Sequence, residues 1–156
     1  MIRPVRQEDK TDLLRLCEAT GLFVSEEIDE LGNMLDEYFD HQLGEDHFWI
    51  TYEDNGLLGV AYYAPEKFAD RIWNLYLIGI APKAQRKGLG TELLRFVENH
   101  LIERGERILI IETSGLGSFE RTRAFYRKNG YTEEARLRDW YREGDDKVIF
   151  LKQLNR

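Results

Sequence analysis

Cysteine is nearly missing from this chain, with one residue, Cys17, among 156. A lone cysteine cannot close an internal disulfide. It lies in the apolar run Leu13-Leu14-Arg15-Leu16-Cys17, which marks it as a core residue, and no base stands at a spacing that would make it a catalytic thiol. Proline occurs three times, and there is neither a repeat nor a low-complexity linker, so one domain spanning residues 1–156 is expected. Long apolar runs are missing too. Stretches such as Leu77 to Ala81 fall far short of the roughly 18 residues a membrane span needs, and the start, Met1 to Arg6, lacks an apolar signal region. An intracellular, cytoplasmic chain without a membrane partner is the expectation. Nor is there an excess of positive charge: Lys plus Arg is 22 and Asp plus Glu is 29, a net charge of −7, which argues against a nucleic-acid partner. The three histidines, His41, His47 and His100, show no metal-ligand spacing, so no metal is expected. What is present is apolar material, 42% hydrophobic and 12% aromatic. A chain of this size buries roughly 70% of its unfolded surface, enough for a core without a disulfide or metal staple.

Periodicity and turn chemistry divide the chain into an ordered series. A short strand at Ile2 to Val5 leads to a helix over about Asp9 to Thr20. Ser25 is placed to cap a second helix carrying Ile28, Leu31, Leu35, Tyr38 and Phe39 at helical spacing. Two strands, about Phe48 to Tyr52 and Leu57 to Tyr63, flank Asp54-Asn55-Gly56, a strong hairpin signal. A strand over Ile72 to Ile80, apolar on both faces, stops at Pro82, and Gly79 within it suggests a bulge or a close backbone approach. A helix over Leu89 to Glu103 follows, then a buried strand at Arg107 to Glu112 and a helix over Phe119 to Lys128 that ends at Asn129-Gly130. Strands at Tyr131 to Asp139 and Lys147 to Leu151 close the chain around Glu143-Gly144-Asp145-Asp146. The order β-α-α-β-β-β-α-β-α-β-β predicts the α/β class, a mixed sheet with helices on its faces.

Ile80 to Thr91 carries the most chemistry. A buried strand ends at Pro82, and a glycine-bearing loop opens directly into an amphipathic helix, whose first N–H groups and partial positive charge suit a phosphate. Gly88 and Gly90 allow close backbone approach, while Lys83, Arg86 and Lys87 add charge with no acid among them. The same segment also reads as an ordinary strand-to-helix turn with solvated lysines. It is not a P-loop, since Gly-x-x-x-x-Gly-Lys-Ser/Thr is absent, nor a dinucleotide fingerprint, since Leu93 stands where the third glycine belongs.

Ile78-Gly79-Ile80-Ala81-Pro82 followed by Gln85-x-x-Gly88-x-Gly90 resembles motif A of the GCN5-related N-acetyltransferases, the GNAT superfamily. Thr122 to Tyr131, with Phe125-Tyr126 ahead of Gly130-Tyr131, resembles its motif B. The element order agrees from residue 2 to residue 152. The resemblance implies a GNAT-like acyl-CoA N-acyltransferase fold and acetyl-CoA as co-substrate. Ile78, Gly79 and Ile80 would pair with the pantetheine arm where two strands splay. Gln85, Arg86, Lys87, Gly88, Leu89, Gly90 and Thr91 would cradle the pyrophosphate, and Tyr126 would protonate the departing thiolate. One position departs from the pattern: many members carry an asparagine seven residues before that tyrosine, where this chain has Phe119, so Ser114, Ser118 or backbone alone is left to make that contact.

Acetyl transfer to an amine requires a neutral amine, a polarised carbonyl and a protonated leaving thiolate. The Ile80 N–H is a candidate for the second task. Glu112, at the end of its strand, is the candidate base, ahead of Asp139, Tyr76 and Asn74. No Cys or Ser is placed as an acyl carrier, which favours direct transfer in a ternary complex. Val24 to His47 holds nine acidic residues and no Lys or Arg, whereas Lys83 to Gly90 holds three basic residues and Arg121 to Lys128 four. This asymmetry suits an anionic cofactor and a cationic acceptor, although surface helices are often acidic without a partner. The expected acceptor is a small-molecule or amino-acid-like primary amine. A protein N-terminus or lysine, or a non-catalytic acyl-CoA sensor, are the alternatives. In the family the segment holding Trp140 and Tyr141 shapes the acceptor mouth, and dimerisation through the sheet edge or last strands is common, so a homodimer is one expected assembly.

Overall fold

A computed structural model describes residues 1–155. Its strands are β1 (Ile2–Pro4), β2 (Phe48–Glu53), β3 (Leu57–Pro65), β4 (Ile72–Ile80), β5 (Ile108–Ser114), β6 (Thr132–Arg142) and β7 (Asp145–Gln153). The helices are α1 (Lys10–Ala19), α2 (Ser25–Phe39), α3 (Leu89–Glu103) and α4 (Glu120–Lys128). The strands form a seven-stranded sheet in the order β1-β2-β3-β4-β5-β7-β6. It is mixed: β4 and β5 run parallel, while β1–β2, β2–β3, β5–β7 and β6–β7 are antiparallel. The α/β class and element order follow the sequence expectation.

The chain divides into two compact units, residues 1–64 with 77–97, and residues 65–76 with 98–156. In the first, α1 contributes Leu13, Leu16 and Cys17, and α2 contributes Leu31 and Leu35, to a core with Trp49, Val60, Tyr62 and Leu77. Asn55 (φ 53°) and Gly56 (φ 113°) supply the left-handed backbone of the β2–β3 turn, as the Asn-Gly pair predicts. A buried ion pair fastens the N-terminal strand: Arg3 Nη1 and Nη2 donate to Asp9 at 2.8 and 3.0 Å, and Nη2 also reaches the more exposed Glu53 at 3.2 Å. The second unit buries Trp73, Leu75, Leu101, Leu109, Ile111, Val148 and Phe150. Glu98, also buried, accepts the Tyr131 hydroxyl at 2.6 Å and pairs with Lys152 at 3.2 Å.

Three local expectations are corrected. Ser25 is the first residue of α2 rather than its cap; Val24 takes the cap position, and Glu27 accepts the Val24 N–H at 2.9 Å. The close approach in the β3–β4 pair falls at Gly59, where a Cβ would meet Ile80 Cδ1 at 3.0 Å and the Gly79 carbonyl at 3.4 Å; a Cβ at Gly79 would find only ordinary contacts. The last two strands run longer than their apolar pattern, meet at Glu143-Gly144, and carry an irregularity between Leu137 and Arg142 in which Asp139 adopts φ 54°.

Candidate active site

The loop leaving β4 is organised by its own side chains. Ala81 N–H donates to the Leu58 carbonyl at 2.8 Å, and a single 3₁₀ turn, Pro82–Ala84, buries Ala84 beneath it. Gln85 Nε2 reaches back to the Ile80 carbonyl at 3.0 Å, tying the loop to the strand end. Arg86 (φ 66°) and Gly88 (φ 82°) then take left-handed conformations. For arginine this costs roughly 1–2 kcal/mol, the kind of strain that collects at ligand-binding turns. Glu92 N–H bonds to the Gly88 carbonyl at 3.0 Å, so the N–H groups of Leu89, Gly90 and Thr91 begin α3 without intrahelical acceptors. Lys83, Arg86 and Lys87 are exposed, and none forms an ion pair among the described residues. Ile78 and Ile80 are half-buried and Gly79 is buried.

In the second unit, Tyr126 sits on α4 and is 4% exposed. Phe125, Phe150 and Tyr131 surround its ring at centroid distances of 5.6, 5.5 and 6.2 Å. No side chain among the described residues hydrogen-bonds its hydroxyl. Burial, reinforced by nearby Tyr141, pushes its ionisation well above the ordinary phenol value, so the proton stays on the oxygen. Asn129, Gly130 and Tyr131 close the helix behind it through bonds to the carbonyls of Phe125, Tyr126 and Arg127.

The candidate base, Glu112, lies near the end of β5. Lys147 Nζ is 2.9 Å from its Oε2, and the same ammonium stands 4.2 Å from the centre of the Trp140 ring. The buried Asn74 Nδ2 donates to Glu112 at 3.3 Å and to Glu66 at 2.7 Å. Tyr76 is half exposed and hydrogen-bonds Glu66; burial first, then the Glu66 and Glu112 charges, raise its ionisation above the ordinary phenol value. This part of the second unit thus combines two carboxylates, an amide, a phenol and one ammonium.

A family profile described as "Acetyltransferase (GNAT) domain" matches residues 44–133. A solved protein of the GNAT family from Desulfovibrio desulfuricans is 35% identical, with 99% of this chain and 98% of that one aligned at a TM-score of 0.92. This chain belongs to the GNAT acetyltransferases. Two more distant structures share the fold. The ribosomal-protein-S18-alanine N-acetyltransferase from Escherichia coli is 19% identical, covering 100% and 94% of the two chains at a TM-score of 0.77. An aminoglycoside 6'-N-acetyltransferase complexed with coenzyme A is 16% identical, covering 100% and 98%, also at a TM-score of 0.77. No curated protein matches the sequence.

As a GNAT enzyme the protein depends on acetyl-CoA, and the β4–α3 loop fits that substrate's diphosphate. It offers open N–H groups, three unpaired cations and a Gly88 with nothing within 4 Å of where a side chain would begin. Other sequence candidates have structural work instead. The Ser114 hydroxyl donates to Asp145 and accepts the Leu116 N–H at 3.1 Å, which holds the chain at the end of β5; Ser118 is exposed and Phe119 half-buried. Asp139 Oδ1 accepts the Gly144 N–H at 2.8 Å, shaping the β6–β7 hairpin, and Asn74 serves as a donor rather than a base. Asp36, in the acidic stretch, pairs with Lys10 at 2.8 Å. Glu66 and Lys147 carry no motif signal, because their contacts come from pairing across strands. Among the described residues no helix is long and apolar enough to cross a membrane.

Proposed function

We propose that this enzyme acetylates the primary amine of a small, amino-acid-like acceptor by direct attack on acetyl-CoA. The amine nitrogen bonds to the thioester carbonyl carbon, and the developing oxyanion takes a hydrogen bond from the Ile80 N–H. The carbon–sulfur bond then breaks with its electron pair on sulfur. Tyr126 delivers its proton to the thiolate, and Glu112 takes the proton that the attacking nitrogen loses, directly or through water. Ile78, Gly79 and Ile80 pair with the pantetheine arm, and Gln85 to Thr91 hold the diphosphate.

The observation that carries this reading is the acidic surroundings of Asn74. Glu66 and Glu112 both accept from Asn74, and among the described residues Lys147 alone forms an ion pair with either, a balance that draws a compact cation more readily than an anionic or neutral acceptor. The first test is a melting titration with acetyl-CoA, CoA, dephospho-CoA, ATP and NAD. A ligand at about a hundred times its Kd adds roughly 2.7 kcal/mol of stability. Stabilisation by the CoA species alone, followed by thiol release with amines, is the expected result. A melt indifferent to every CoA species would overturn the assignment of the loop, and acetylation of a peptide in preference to every small amine would overturn the acceptor class.

A further inference from the structure

Glu98 and Tyr131, both buried, join the partly buried Lys152 in a polar network that the transfer chemistry does not touch. The Glu98 carboxylate is 4% exposed and accepts the Tyr131 hydroxyl at 2.6 Å. Lys152 Nζ donates to both Glu98 oxygens at 3.2 Å and to the Asn129 carbonyl at 3.1 Å, which uses all three of its protons. A buried ion pair adds little net stability, because the cost of taking both charges out of water offsets their attraction. What it supplies is one fixed arrangement, since each charge tolerates only positions that keep it paired.

That arrangement grips the turn that follows α4. Asn129 and Tyr131 stand on either side of Gly130, which turns the chain at φ 91°. The N–H groups of both bond to the Tyr126 carbonyl, at 3.1 and 3.0 Å, and Asn129 Nδ2 donates to the Phe125 carbonyl at 2.8 Å. The network therefore holds the two residues that hold Tyr126: Lys152 through the Asn129 carbonyl, Glu98 through the Tyr131 hydroxyl. The Tyr131 ring also packs edge-on against the Tyr126 ring at 6.2 Å. Among the described residues no side chain hydrogen-bonds the Tyr126 hydroxyl, so its oxygen stands where ring packing and this turn put it.

We propose that Glu98, Tyr131 and Lys152 are positioning residues for Tyr126, fixing the phenol at the distance and angle from which it protonates the departing thiolate. The inference rests on the proton-donor role given to Tyr126 above and adds no contact to substrate. Proton transfer is steep in geometry, and a displacement of about 1 Å costs about a hundredfold in rate. A network that fixes the backbone on both sides of a turn limits such displacement where an adaptable apolar contact would not.

The test measures kcat and the KM for acetyl-CoA, with glycinamide as the amine, in the wild type, Tyr131→Phe and the apolar replacement Glu98→Leu/Tyr131→Phe/Lys152→Met. Each change is also made in a Tyr126→Phe background, and every protein is melted. Tyr131→Phe deletes one oxygen and keeps the ion pair, so it reports even where the triple variant fails to fold. The expected fall in kcat is about threefold for Tyr131→Phe and about tenfold or more for the triple variant, with the KM for acetyl-CoA within about twofold of wild type. In the Tyr126→Phe background the same changes should cost nothing further, because the group they position has gone. A merely structural role would lower kcat equally in both backgrounds. Losses that multiply with that of Tyr126→Phe, or a folded triple variant with wild-type kcat, would overturn the positioning role alone. If Tyr126→Phe itself keeps wild-type kcat, or the wild type releases no thiol with glycinamide, the transfer reading fails and takes this one with it.

Discussion

Replacing Tyr126 by phenylalanine should separate catalysis from stability, because the structure gives the hydroxyl no folding task. The ring is buried among Phe125, Tyr131 and Phe150, and phenylalanine keeps all of that packing. Among the described residues no side-chain hydrogen bond is lost with the oxygen, so the change in unfolding free energy should stay below about 1 kcal/mol. The chemical consequence is larger. A positioned general acid contributes typically 10²–10⁴-fold, so kcat should fall by about a hundredfold or more while acetyl-CoA binding holds. Burial raises the Tyr126 pKa, so its proton is retained through neutral and moderately alkaline pH, and no fall in kcat from its ionisation should appear below about pH 10. The same shift bears on folding. The unfolded phenol ionises near pH 10 and the folded one only higher, so stability should decline as pH rises past 10 in the wild type, and less in the variant. The assay is stopped-flow thiol release, paired with a melt with and without acetyl-CoA. A variant that keeps a third of wild-type kcat would refute the role of the phenol. One that melts several degrees lower would refute the claim that its oxygen is structurally idle.

Four further outcomes follow from described contacts. Asp9→Ala should cost on the order of 3 kcal/mol in denaturant unfolding, because it leaves the buried Arg3 short of a partner. The Arg3 hydrogen bonds hold the Asp9 carboxyl below its ordinary range, so this contribution is present above about pH 4 and lost as pH falls further; acid melts of wild type and variant should converge. Gly88→Ala should lose roughly 1 kcal/mol at φ 82° and raise the KM for acetyl-CoA, with kcat less affected. Burial pushes the Cys17 thiol up to about 11, so a thiol reagent at pH 8 should label the chain only at the rate of unfolding.

The sequence was most readable where local chemistry decides local structure. The β4 span and α3 appear where periodicity placed them, because Pro82 stops the strand and Leu93, Leu94, Val97 and Leu101 all point inward. The cap of α2 was misplaced by one residue, because Glu27 reaches back to Val24 and leaves the Ser25 hydroxyl unneeded. The β6 boundaries were short because every residue of that strand is exposed, which removes the apolar alternation that marks a strand. At the candidate site, the β4–α3 loop and Tyr126 stand out through motifs in the sequence alone. Glu66 and Lys147 do not, since their contacts exist only after strands distant in sequence pair.

The interleaving of the two units matters during synthesis. All of the residues of the first unit, 1–64 and 77–97, have been made by Val97, while residues 65–76 inside that span belong to a unit completed only later. Ile72 to Leu75 pair in parallel with Ile108 to Ile111, so a nascent chain carries an apolar strand without its partner for the whole length of α3. Such an edge is open to wrong pairing until β5 emerges. Ribosome pausing within α3 should therefore lower the yield of native enzyme more than pausing after β5.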